Sequence, residues 1–70
     1  ESEMKKYCVA YINFFDNVLK QEVVETNSLR NALYIYMWNT IGYRGIEDKS
    51  YKELVDYAWD CDAMVNAIEI

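Results

Sequence analysis

Hydrophobic and polar positions divide the chain into four patterned stretches. Residues 4–15, "MKKYCVAYINFF", are rich in Tyr, Val, Ile and Phe and contain no helix breaker or cap, which predicts a strand. Asp16 and Asn17 tolerate positive φ and suit the centre of a tight turn. The β-branched run "VLKQEVVET" then completes a hairpin. With a two-residue loop, Phe14 faces Leu19, Ile12 faces Gln21, Ala10 faces Val23 and Cys8 faces Glu25. This register assigns the face of Cys8, Ala10, Ile12 and Phe14 to the core beneath the helices. It leaves Tyr7, Val9, Tyr11, Asn13 and Phe15, opposite Thr26, Val24, Glu22, Lys20 and Val18, accessible.

Ser28, at the end of a "TNS" cluster, predicts an N-cap for a helix beginning at Leu29 and closing at Gly42. The apolar residues of this helix do not keep to one stripe. Leu29, Ala32, Leu33 and Tyr36 share a face, while Tyr34, Ile35, Met37, Trp38 and Ile41 spread round the rest and need cover of their own. After the loop "GYRGIEDK", the sequence "SYKE" is a capping box. Leu54, Tyr57, Ala58 and Cys61 follow it at helical spacing, with Cys61 read as a core position.

Two readings fit the end of the chain. Met64, Val65 and Ile68 continue the helical period, giving a β-β-α-α protein with a long last helix. The segment "MVNAIEI" serves equally as a third strand beside the first, and two strands are a poor floor for two helices. The preferred fold is therefore a small α+β domain of order β-β-α-α-β, spanning residues 4–70. The segment "ESE" before Met4 reads as an expression-tag remnant.

Seventy residues lie near the lower limit for a self-sufficient core. Yet 53% of them are hydrophobic and 16% aromatic, more than so small a core requires, so part of the apolar surface is expected to meet another molecule. The net charge of -5 is uneven. Residues 1–46 balance five acids with five bases. Beyond them, Glu47, Asp48, Glu53, Asp56, Asp60, Asp62 and Glu69 face only Lys49 and Lys52. Such a chain repels nucleic-acid phosphate and anionic membranes and is drawn to basic protein surfaces. The simplest reading of Asp56 and Asp60 is a solvated face on which Lys52 pairs with Asp56.

Catalytic chemistry is sparse. There is no histidine, no CxxC pair and no phosphate-binding glycine loop, Gly42 and Gly45 being the only glycines. The expectation is a protein that is not an enzyme and carries no cofactor or metal. Cys8 and Cys61, with no leader or long apolar span ahead of them, read as buried reduced thiols of a cytoplasmic protein rather than a disulfide.

Tyr7, Tyr11 and Phe15 on one sheet face suggest a platform for stacking bases. Their companions include Glu22 rather than a set of cations, so nucleic-acid binding ranks below protein binding. The expected partner-binding residues are the aromatic Tyr7, Tyr11, Phe15, Tyr34 and Trp38, and the acidic Glu47, Asp48, Glu53, Asp56 and Asp60. In size, acidity, lack of catalytic residues and its "YINFFDN" hairpin, the chain resembles the small acidic proteins by which phages inhibit host enzymes or defence systems, anti-CRISPR proteins among them. That resemblance implies steric inhibition of a nucleic-acid-handling protein in the host cytoplasm. The alternative is a homodimeric structural domain with no separate target.

Overall fold

A computed structural model describes residues 3–70 of the chain. Glu1 and Ser2, part of the segment read as a tag remnant, lie outside the described residues. The elements are β1 (Lys5–Asn13), β2 (Leu19–Thr26), α1 (Leu29–Tyr36), a π-helical segment (Met37–Ile41), α2 (Tyr51–Asp60) and β3 (Ala63–Glu69). The order is the expected β-β-α-α-β, with strands arranged β2-β1-β3 in one antiparallel sheet. The C-terminal run is thus the third strand beside β1, and the long-helix alternative does not form.

Local chemistry sets the helix ends. Ser28 accepts a hydrogen bond from the Asn31 amide and opens α1. At the other end the winding loosens by one residue per turn. The amides of Gly42 and Tyr43 both donate to the Met37 carbonyl, and Gly42 closes the segment at φ 93°. The capping box at Ser50 is complete: its hydroxyl accepts from the Glu53 amide, and the Glu53 carboxylate accepts from the Ser50 amide. The bond from the Ser50 amide first, and then the nearby Ser50 side chain, hold the Glu53 carboxyl below its ordinary pKa.

The hairpin departs from the expected register. Ile12 faces Leu19, Ala10 faces Gln21 and Cys8 faces Val23, a slip of two residues that lengthens the turn. Side chains in the turn cause it. The Asn13 side chain accepts from the Phe15 amide at 2.7 Å, the Asp16 side chain accepts from the Val18 amide, and Asn17 turns the chain at φ 59°. Both Phe14 and Phe15 thereby leave the paired strands.

Because the slip is even, each strand keeps the same residues on each face. The covered face, however, is the opposite of the one expected. Tyr7, Val9, Tyr11, Val24 and Thr26 lie under the helices with Ala63, Val65 and Ala67, against Ala32, Leu33, Tyr36, Met37, Leu54 and Ala58. Two physical features favour this choice. Tyr7 and Tyr11 bring far more burial area than Cys8 and Ala10. On β3 the buried positions are the small Ala63 and Ala67, which let the helices approach closely. Loop residue Ile46, fully buried, completes the core.

Candidate functional site

The inverted sheet leaves one face of the domain without cover. Val23, Cys8 and Ile68 lie side by side across β2, β1 and β3; next come Gln21, Ala10 and Asn66, and then Leu19, Ile12 and Met64. Leu19 is 60% exposed, Val23 55% and Ile68 57%. Beyond the Val23 row, Lys6 stands opposite Glu25, the one charged pair of facing residues on this side. Two rows of apolar side chains thus flank one row of amides around a central alanine. At the turn end, Phe14 is half-exposed and its ring meets that of Trp59 edge-on at 5.7 Å.

These residues were not singled out in the sequence, and the cause is a tie. On β1 and β2 both faces carry comparable numbers of apolar side chains, so alternation separates two sides without saying which is covered. One signal could have broken it: "AMVNAIE" puts small residues on one face of β3 and Met and Ile on the other.

Of the aromatic residues expected to bind a partner, Tyr7 and Tyr11 are core, 5% and 9% exposed, and the Tyr11 ring lies 6.2 Å from that of Tyr36. Neither ring is open to stack a base, which corrects the expected aromatic platform. Phe15 stands at the hairpin turn, 82% exposed. Tyr34 and Trp38, one helical turn apart, are half-buried with ring centroids 5.9 Å apart. Arg30 covers Tyr34 at 4.9 Å and Arg44 covers Trp38 at 4.2 Å, so the four side chains form a continuous stack along the helix.

The five expected acids are all exposed: Glu47 and Asp48 on the loop, Glu53, Asp56 and Asp60 on α2. The expected Lys52–Asp56 pair does not close. Among the described residues the ion pair within 4 Å is Lys5–Glu69, at 3.8 Å. Three cations of the helical side, Arg30, Arg44 and Lys49, are engaged elsewhere, and the exposed Lys52 on α2 makes no ion pair within 4 Å among the described residues. Arg30 donates to the carbonyls of Glu47 and Lys49, Arg44 donates to those of Trp38 and Tyr43, and Lys49 lies over the Tyr57 ring. Their charge goes to backbone oxygens and ring faces, which leaves Asp48, Asp56 and Asp60 without a cation in contact.

Both cysteines are free thiols. Cys8 is half-buried on the open sheet face. Cys61, expected in the core, is exposed at the end of α2, because that helix closes one residue earlier. It lies near the Tyr43 hydroxyl. Burial first, and then the neighbouring Cys61, push the Tyr43 hydroxyl up to about 12. Burial, the Glu22 carboxylate and Tyr11 raise Tyr36 in the same direction.

No helix is long and apolar enough to cross a membrane among the described residues. Against protein families, curated proteins and solved structures, the chain has no match.

Proposed function

We propose that this chain is a small, non-enzymatic protein-interaction module whose contact surface is the open face of its sheet. One observation carries the reading: Leu19, Val23, Met64 and Ile68, with Cys8, Ala10 and Ile12 between them, form a contiguous apolar surface opposite the helices. A domain this small can hardly forgo the burial of such area, worth roughly 25 cal/mol per Å². Covering it stabilises both the fold and the complex.

Within that class the proposed role is a phage-type inhibitor that acts by occupying the surface of a host or defence protein, in the host cytoplasm. Charge supports this version. The uncompensated carboxylates of Asp48, Asp56 and Asp60 lie on the helical side and suit a basic, nucleic-acid-handling target. The expected single-stranded nucleic-acid platform has lost its support, since two of its three rings are core.

The test is affinity capture from a bacterial lysate with the wild-type chain and with a Val23→Lys/Ile68→Lys variant. Both positions are exposed, so the variant is expected to fold. A stoichiometric associate, whether a lysate protein or a second copy of the chain, retained by the wild type and lost by the variant is the expected result. Equal recovery by both, or no stoichiometric association of the chain with anything including itself, contradicts the reading.

A further inference from the structure

Resting on that reading, we propose that the occupant of the open sheet face is a second copy of this chain, related by a two-fold axis that crosses the strands through the row Gln21, Ala10 and Asn66. Three observations point to a copy rather than a different protein.

The first is the near-symmetry of the face about that row. Val23, Cys8 and Ile68 on one side, and Leu19, Ile12 and Met64 on the other, are apolar rows of similar bulk. A two-fold axis in the plane of contact lays the first row of each copy on the second row of its partner. Each row then meets an apolar row, as the self-complementary interface of a two-fold dimer demands.

The second is the chemistry of the central row. On the axis each residue meets its own counterpart, so like charges there would repel. Gln21 instead carries an exposed amide, which donates and accepts at once and can pair with itself. The Asn66 amide oxygen accepts from the Tyr51 hydroxyl of its own chain at 2.9 Å and keeps its NH2 group to donate. Ala10 between them leaves room for the two sheets to close. Lys6 and Glu25 fall outside both apolar rows, at the rim.

The third is charge and area. The exposed acids of α2 and its preceding loop are on the helical side, so two nearly neutral faces meet without bringing those acids together. Three strands about 4.8 Å apart and about 3.3 Å per residue long give a face on the order of 14 by 23 Å. Two such faces, closing in aligned sheet packing, cover about 640 Å² in projection, the size of a weak association rather than an obligate one. A dimer so built presents two acidic helical sides outward.

Because Gln21 faces itself, the geometry makes a prediction that other dimers do not. Gln21→Lys and Gln21→Glu, each alone, place like charges across the axis; mixed in equal amounts, they place opposite ones. Sedimentation equilibrium across the micromolar range should give the wild type a mass twice 8.3 kDa and each variant alone a mass shifted toward 8.3 kDa. The equimolar mixture should return to the doubled mass. Gln21 is exposed, and unchanged far-ultraviolet circular dichroism checks that each variant is folded.

A monomeric wild type, or a mixture no heavier than its components, overturns the inference. Were the wild type monomeric while Val23→Lys/Ile68→Lys still lost a stoichiometric lysate partner, the interaction reading would stand with another occupant. Were neither variant set to change any association, both would fall.

Discussion

Trp38 illustrates how a residue chosen as a partner anchor can be engaged within its own domain. Its ring lies between Tyr34 and the Arg44 guanidinium, 5.9 and 4.2 Å away. Trp38→Ala should cost about 2 kcal/mol, below the range for a fully buried tryptophan because the ring is only half-buried. Urea unfolding measures the loss, and the sedimenting mass should not change. Tyr43 supplies the residue-scale prediction for pH. Its pKa is raised from 10.0 to about 12, so the folded chain keeps a proton that the unfolded chain releases. Stability from this group is complete below pH 10 and is lost as pH rises toward 12, and Tyr36 acts in the same direction. Thermal melting at stepped alkaline pH, with tyrosinate absorbance alongside, should show unfolding and ionisation advancing together.

At the scale of elements, caps and turns carried most of what could be read in the sequence. Ser28 and the Ser50–Glu53 box name both helix starts because a few hydrogen bonds within four residues decide them. The strand order followed from the need for a third strand under two helices. What escaped was set by geometry beyond the local pattern. The hairpin register depends on side-chain bonds from Asn13 and Asp16 that compete with the shorter turn, and the π-helical turn at Met37–Ile41 has no evident sequence signal. Asp62, at φ 59° just after α2, holds a conformation that favours glycine. Asp62→Gly should therefore leave stability unchanged or raise it by up to about 1 kcal/mol, because the backbone bond from the Phe14 amide to the Asp62 carbonyl is retained. A fall of more than that in the urea midpoint would mean the Asp62 side chain contributes to the junction of α2 and β3.

For the whole molecule, the candidate site was legible as a class but not as a place. Composition announced surplus apolar surface, and alternation sorted the sheet residues correctly into two groups. Only packing decides which group the helices cover, and the bulk of Tyr7 and Tyr11, set against the small Ala63 and Ala67, settles it. Two of the five expected binding rings, Tyr7 and Tyr11, therefore became core, and the sheet face expected to be covered became the exposed one. Charge follows the same division: acids gather on the helical side, while the open face carries a single Lys6–Glu25 pair at its rim.

The central claim, that this open face is where the chain associates, meets its most direct test in one sedimentation-equilibrium comparison of the wild type with Val23→Lys/Ile68→Lys. The wild type should sediment at twice 8.3 kDa and the variant at 8.3 kDa, both with the same far-ultraviolet circular dichroism. Identical masses for the two proteins, together with identical partner recovery, would contradict that claim.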